Sequence, residues 1–200
     1  MQDLTEGVAR FRRDVFPAKA DLFTHLADSH APTTLFISCS DARVVPELIT
    51  QSEPGELFVI RTAGNLVPAY APGSDGVAAG IEYAVAVLGV SDVVVCGHSA
   101  CGAMTALAEQ HDLGGLPAVA DWLRHADASR ARAGAEACAE PGTEQLADLV
   151  RENVRAQLAN LATHPSVARA LLRGTLALHG WVYDIPTGTV EELDAAAVRA

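Results

Sequence analysis

The sequence lacks any long hydrophobic run. Its apolar stretches, such as TTLFIS and SDVVVCG, are only strand-sized and fall far short of the roughly 20 residues that a membrane-spanning helix needs. The first residues, MQDLTEGVARFRRD, carry too many charges for a secretory signal peptide. We therefore expect a soluble, cytoplasmic protein that has no membrane partner.

Basic side chains and cysteines are also scarce. There are 14 Lys and Arg against 25 Asp and Glu, and the formal net charge is −11. Because phosphate binding needs a surplus of basic side chains, this balance weighs against nucleic acid as a partner. Four cysteines in 200 residues, without an export signal, are expected to be ligands, nucleophiles or buried thiols rather than a disulfide framework.

Strand-like and helix-like patterns alternate along the chain. This alternation predicts an α/β fold, with a mainly parallel sheet flanked by helices, in a single domain over residues 1–200. Residues 3–28 predict two amphipathic helices interrupted near Pro17. Near the C-terminus, the sequence LALHGWVYDIPTGTVEEL predicts a strand, a turn and an edge strand. The other predicted strands are 33–38, 56–65 and 91–97. One further helix is predicted to begin at Pro46 and another to span 76–89, and the pattern over 117–173 is helical except for a loop at 131–142.

Three side chains with metal-binding chemistry follow two of the predicted strands. The segments SCSDAR and CGHSACG place Cys39, His98 and Cys101 just after these strands. Because ligands bind beyond the carboxyl ends of the strands in open parallel sheets, we expect the three side chains to meet. Two thiolates and one imidazole suit zinc, and three protein ligands with a vacant fourth position are typical of catalytic zinc. We predict one Zn²⁺ per chain.

An aspartate and an arginine stand beside the first of these cysteines. Asp41 could coordinate the metal or accept a hydrogen bond from zinc-bound water. Arg43 can keep this carboxylate ionised and can compete with the metal for its oxygens. Zn²⁺ with two thiolates and a neutral histidine sums to zero charge. Such a site should acidify bound water less than an all-histidine site, where the pKa of water falls to ~7. We therefore expect activity that rises above neutral pH, and an inactive site wherever Asp41 binds the metal.

Other interpretations remain open from the residues alone. A thiol redox or sulfur-transfer protein would use Cys39 or Cys101 as its nucleophile, and the position of Cys101 at a helix start suits a reactive thiol of low pKa. Asp41 as a permanent fourth ligand would make a noncatalytic zinc module. Cys96 rivals the predicted ligands by spacing, although its place inside VVVC indicates a core thiol, and Cys138 lies in a polar loop where no role is expected.

At these residues the sequence resembles the β-class carbonic anhydrases, in particular bacterial enzymes associated with cyanate metabolism. The resemblance spans roughly residues 30–190. It is carried by four segments: CSDARVVPELITQSEPGELFVIRTAGNLVP, GIEYAVAVLGVSDVVVCGHSACGAM, VRENVRAQLANLATHPSV and LHGWVYDIPTG.

The resemblance implies a zinc enzyme that converts carbon dioxide reversibly to bicarbonate and a proton through zinc-bound hydroxide. It implies zinc binding by the three predicted ligands and a catalytic dyad of Asp41 and Arg43. It further implies a homodimer or higher oligomer with pockets at the subunit interface, in which a helical arm over residues 1–30 embraces a second subunit. A related enzyme on the same fold could act on carbonyl sulfide or carbon disulfide. The residues implied to bind substrate are His30, Phe58, Ala63, Tyr83 and Gly102.

The sequence departs from the family pattern at three positions, and a fourth position distinguishes two groups within the family. Ala42 replaces a serine in the Cys-Ser-Asp-Ser-Arg motif, and Thr62 replaces an asparagine. His30 stands where relatives of the plant type carry a glutamine that donates to substrate; its charge varies near neutral pH, which makes it a candidate proton shuttle. Phe36 stands where members with an inhibitory bicarbonate site carry tryptophan, which favours an open zinc site.

Overall fold

A five-stranded sheet forms the centre of the computed structural model, which describes residues 3–73, 75–133 and 144–194. The strand order is β2-β1-β3-β4-β5; the first four strands run parallel, and β5 pairs antiparallel with β4 at the edge. This arrangement confirms the predicted mainly parallel sheet with an edge strand near the C-terminus. The strands are β1 (Thr34–Cys39), β2 (Leu57–Thr62), β3 (Asp92–His98), β4 (Ala177–Tyr183) and β5 (Val190–Leu193).

The two most apolar strands lie at the middle of the sheet. Residues 35–39 of β1 and 93–98 of β3 are all buried, because both faces of these strands are covered. Continuous apolar runs, rather than alternating ones, are what such doubly covered strands require.

Helices flank the sheet, as predicted. The longest helix packs across β3 and β4, and its residues Val154 and Leu158 join Ile37 and Val95 in the main hydrophobic core. No helix in the described ranges combines the length and the apolar character needed to cross a membrane. The helices are α1 (Leu4–Arg10), α2 (Ala20–Asp28), α3 (Pro46–Thr50), α4 (Gly76–Glu82), α5 (Gly102–Ala108), α6 (Pro117–Leu123), α7 (Asp127–Arg132), α8 (Glu144–Ala162) and α9 (Pro165–Leu172).

The N-terminal arm consists of α1 and α2 joined by two irregular helical turns. The second of these turns, Phe16–Lys19, contains Pro17, so the predicted interruption is confirmed. Three phenylalanine rings hold the arm together, and the closest pair, Phe16 and Phe23, stack at 5.4 Å between centroids. The apolar side of α1 stays uncovered in the single chain, where Leu4 is 84% exposed.

The turn between β4 and β5 is tied to the loop that follows β3. Thr187 Oγ1 donates to Asp184 within the turn, and the amide of Ile185 donates to Ser99 Oγ at 2.9 Å. The C-terminal hairpin therefore supports the segment just after His98. Most of the predicted loop at 131–142, including Cys138, lies outside the described residues.

A polar stripe on α8 holds the loop that follows β2. Asn153, Gln157 and Asn160 recur at helical spacing on the buried side of α8. Gln157 Oε1 accepts from the amide of Val67 at 2.9 Å, and Asn160 Nδ2 donates to the carbonyl of Val67 at 2.8 Å. These side chains supply hydrogen-bond partners that the buried backbone would otherwise lack.

Replacing Gln157 by leucine should destabilise the protein by about 2–3 kcal/mol, because it leaves the buried amide of Val67 without an acceptor. Denaturant unfolding measures this loss. Gln145, on the exposed side of the same helix, offers the matched control, and its replacement by leucine should change the free energy of unfolding by less than about 0.5 kcal/mol. Equal losses for the two variants would contradict the role given to the stripe.

Candidate metal centre

The site lies at the carboxyl ends of two neighbouring strands. Cys39 is the last residue of β1 and His98 the last residue of the adjacent β3, so parallel pairing brings them to the same edge of the sheet. Cys101 is the N-cap residue of α5. The ligand atoms of these three residues lie within 4.8 Å of one another, and all three residues are buried. The structure thus brings the predicted ligands together in an arrangement that could hold a metal ion.

The histidine ring is oriented as a metal ligand should be. Its Nδ1 lies 2.9 Å from the carbonyl oxygen of Ser99 and therefore carries the proton that it donates. This leaves a lone pair on Nε2, which is buried and has no hydrogen-bond partner among the described residues. A buried nitrogen left unpaired costs free energy that a metal ion would recover.

Both sulfurs sit among hydrogen-bond donors. The side chain of Cys101, followed by the backbone amides of Asp41 and Gly64, lowers the pKa of Cys39 against the opposing effect of burial. The Cys39 thiolate and burial together raise the pKa of Cys101 well above its usual value. Because a cysteine must be deprotonated to bind a metal ion, the groups that lower the pKa of Cys39 favour metal binding.

The second cysteine also accepts hydrogen bonds from the start of a helix. The backbone amides of Ala103 and Met104, in the first turn of α5, donate to the sulfur of Cys101. A thiolate at a helix N-cap is stabilised by such amides and by the helix dipole.

Asp41 and Arg43 form a forked ion pair beside the cluster. Nε and Nη2 of Arg43 donate to Oδ1 and Oδ2 of Asp41 at 2.9 and 2.7 Å, and the Arg43 amide donates to Oδ1 at 2.9 Å. These contacts hold the pKa of Asp41 well below the usual range of a carboxyl group. Asp41 Oδ2 lies 3.9 Å from His98 Nε2, so the ionised carboxylate faces the cluster.

Backbone carbonyls fix this ion pair in place. Arg43 Nη2 also donates to the carbonyl of Ala100 at 3.1 Å, and Ala100 has a left-handed backbone, with φ of 53°. Arg61, from β2, donates to the carbonyls of Cys39 and Asp41 at 3.1 and 2.6 Å. The loop that carries Cys39 and Asp41 is thus held from both sides.

Two of the five predicted substrate residues lie close to the cluster. Ala63 follows the last residue of β2, and the backbone of its neighbour Gly64 is among the groups that lower the pKa of Cys39. Gly102 follows Cys101 directly and begins α5.

The other three predicted substrate residues lie towards the opposite end of the sheet. Phe58 pairs with Leu35, four residues before the end of β2 and hence about 13 Å from it at ~3.3 Å per residue. The ring of Tyr83 packs on Phe58 at 5.9 Å between centroids. His30 precedes β1 and lines a surface depression near Leu57. A single chain therefore does not bring these side chains to its own metal cluster.

The rival cysteine belongs to the core. Cys96 is fully buried, packs with Phe36 and with Trp181, and is not part of the metal cluster found among the described residues. Burial raises the pKa of its thiol to about 12, so it stays protonated near neutral pH. This agrees with the prediction of a core thiol.

Sequence reasoning missed several residues that support the site. Arg61 and Ser99 act through backbone contacts, and nothing in their local sequence indicates such contacts. The indole of Trp122 donates to the carbonyl of Ala63 at 2.9 Å, again across a long separation in sequence. Asn153 could have been identified from the sequence. It begins a row of amide side chains at helical spacing on an otherwise apolar helix face, and such a row indicates buried polar contacts.

Comparisons with known proteins agree with this architecture. The family model described as carbonic anhydrase matches residues 34–190. A carbonic anhydrase from Pseudomonas aeruginosa is 60% identical over 199 residues, covering 100% of this chain and 90% of its relative. The solved structure of the β-carbonic anhydrase CcaA is 45% identical with a TM-score of 0.90, over 96% of this chain and 86% of that one. One of two β-carbonic anhydrases from Sordaria macrospora, described as tetrameric, is 30% identical with a TM-score of 0.84, over 96% and 95% of the chains.

Proposed function

This chain belongs to the β-class carbonic anhydrases, and on that premise we propose that it uses one Zn²⁺ per chain to hydrate carbon dioxide reversibly to bicarbonate and a proton. The observation that carries the proposal is the buried cluster of Cys39, His98 and Cys101, with the unpaired Nε2 of the histidine directed into it. Two thiolates and one imidazole are a ligand set that zinc favours. A zinc ion held there would lower the pKa of water and supply hydroxide, with that pKa above the ~7 of an all-histidine site because two thiolates offset the charge of the metal.

In this proposal Asp41 orients the attacking group. Both of its oxygens accept from Arg43, and the depressed pKa keeps the carboxylate an acceptor at any physiological pH. An ionised carboxylate accepts hydrogen bonds but cannot donate one. A water molecule beside it therefore has one favoured orientation, in which the O–H of the water points to the carboxylate. The fork of Arg43 also competes with a metal for these oxygens, which supports an open site over one that Asp41 closes.

The substrate pocket is proposed to form between two copies of the chain. Ala63 and Gly102 line the site from the chain that binds the metal. Because His30, Phe58 and Tyr83 lie towards the other end of the sheet, we assign them to the site of a second copy. Phe58 and Tyr83 would then provide apolar walls for carbon dioxide, and His30 would serve as the candidate proton shuttle.

The N-terminal arm is the proposed dimerisation element of the single domain. Leu4 and Val8 of α1 are 84% and 59% exposed, and Phe11 adds a 41% exposed ring. Such an apolar stripe is costly in water unless another surface covers it. We propose a homodimer or higher homo-oligomer in which residues 1–30 wrap a second subunit.

The protein is further proposed to act in the cytoplasm, with neither nucleic acid nor a membrane as a partner. The net charge of −11 supports the part that concerns nucleic acid, because phosphate binding needs a surplus of basic side chains. An association with cyanate metabolism stays a prediction, as does activity on carbonyl sulfide or carbon disulfide.

The test of the function is stopped-flow hydration of carbon dioxide from pH 6.5 to 9, on protein whose zinc content is measured in the same sample. We expect about one zinc per chain and activity that increases towards alkaline pH. Zinc without turnover across this range would overturn the proposal in favour of a binding module. Absence of zinc together with thiols that react rapidly would favour the redox interpretation instead.

A further inference from the structure

The peptide group between Ala63 and Gly64 connects a tryptophan to a metal ligand. Its carbonyl accepts from Trp122 Nε1 at 2.9 Å, and its N–H is that of Gly64, one of the backbone groups that lower the pKa of Cys39. The C=O and N–H of a trans peptide point in opposite directions. The indole that holds the carbonyl on one side therefore directs the N–H to the sulfur on the other.

We propose that Trp122 is a positioning residue that, through this peptide group, directs and strengthens a hydrogen bond to the Cys39 sulfur. The inference rests on the proposed function, because it assumes that Cys39 binds zinc. A hydrogen bond received by a carbonyl polarises its peptide and makes the N–H a better donor. A hydrogen bond to a metal thiolate in turn orients the ligand and withdraws electron density from the sulfur.

The loop is built so that this peptide has one orientation. Gly64 has φ of 72°, and a Cβ there would meet the Cβ of Ala103 at 2.9 Å, so the backbone lies against the start of α5. On the other side of Gly64, its own carbonyl accepts from Asn153 Nδ2 at 3.0 Å. Both peptide groups that flank Gly64 are therefore held by side chains from distant helices.

Asn153 is itself held in a single orientation. It is fully buried, and its Oδ1 accepts from Ser129 Oγ at 3.1 Å and from Gln157 Nε2 at 3.0 Å. With its oxygen occupied in this way, only the NH₂ group is available to Gly64. The loop is thus held by α8 through Asn153 and by α6 through Trp122.

The test compares Trp122→Phe with Trp181→Phe. The first keeps an aromatic ring among the apolar residues around Cys39 and Cys101 and removes the N–H. The second is the matched control, because Trp181 Nε1 is buried without a hydrogen-bond partner among the described residues and its ring packs with Cys96 in a separate cluster. The readouts are the affinity for Zn²⁺ in competition with a chelator and the sulfur-to-metal charge-transfer band of Co²⁺-loaded protein.

Trp122→Phe should lower the zinc affinity about tenfold, at the lower end of the effects of changing groups behind a metal ligand. Its charge-transfer band should move to lower energy, because a sulfur with a weaker hydrogen bond releases electron density more readily. Trp181→Phe should leave both readouts unchanged. A purely structural role for Trp122 would change the melting temperature without moving the band.

A second variant tests the same contact in case Trp122→Phe does not fold. Incorporating benzothienylalanine in the Trp181→Phe background replaces only Trp122, with a ring of the same shape that lacks the N–H, and the same band shift is expected. An unchanged band in both Trp122 variants of a zinc-binding, active wild type would overturn the positioning role alone. A wild-type protein that binds no metal would overturn the proposed function and this inference together.

Discussion

Replacing Cys39 by alanine should abolish metal binding and lower the rate of carbon dioxide hydration at least a thousandfold. Only His98 and Cys101 would remain of the cluster, and two ligands do not make the three-ligand site of a catalytic zinc. Metal catalysis contributes several kcal/mol of barrier lowering, and each 1.36 kcal/mol corresponds to a tenfold change in rate. Metal content by elemental analysis and stopped-flow hydration give the two measurements.

Cys96→Ala is the matched control for this substitution. Cys96 is equally buried and lies on the neighbouring strand β3, but it packs with Phe36 and Trp181 away from the cluster. Its loss should cost about 1–2 kcal/mol of stability while zinc content and turnover stay close to those of the wild type. A Cys39→Ala protein that keeps one zinc and full activity would refute the proposed ligand set.

Replacing Asp41 by asparagine should leave zinc bound and lower kcat by about 10²–10³-fold. The three ligands are untouched, but the amide no longer presents two charged acceptor oxygens to Arg43 and to water. Positioned acid–base groups contribute about 10²–10⁴-fold to rates, which sets the expected size. The measurement is kcat at saturating carbon dioxide on protein with verified zinc content.

Asp92→Asn separates this role from the general effect of removing a carboxylate. Asp92 also has a lowered pKa, caused by hydrogen bonds from Ser91 and His179, but it lies at the start of β3, at the other end of the sheet from His98. Turnover of this variant should match that of the wild type. Near-normal turnover in Asp41→Asn would remove Asp41 from the mechanism, and loss of zinc in that variant would instead make it a ligand.

The sequence was sufficient for the fold class because the local signals agree with one another. The apolar runs that became β1 and β3 were long enough for buried strands, and helical patterns separated them. The cluster of Cys39, His98 and Cys101 followed from the same reasoning, since parallel strands place their carboxyl ends at one edge. The resemblance to a known family then added the roles of Asp41 and Arg43, and the structure shows these two paired.

What could not be predicted depends on contacts between residues far apart in the chain. The resemblance grouped His30, Phe58 and Tyr83 with the substrate site, which stays a prediction, and only the strand register shows that Phe58 lies beside Leu35, far from the end of β1 in the same chain. Pairing register is not encoded in the composition of a strand whose neighbours are equally apolar. Nor does periodicity reveal which side chain reaches which distant carbonyl.

By itself, the sequence determined the order of strands and helices and the chemistry at the strand ends, because both arise from residues that are neighbours in the chain. Only the tertiary structure decided which peptide groups face the cysteines. Trp122 reaches Ala63 over 59 positions and Asn153 reaches Gly64 over 89, and both contacts exist because α6 and α8 pack where they do. Hydrogen bonds of this kind depend on orientations fixed by the whole core, which no local pattern contains.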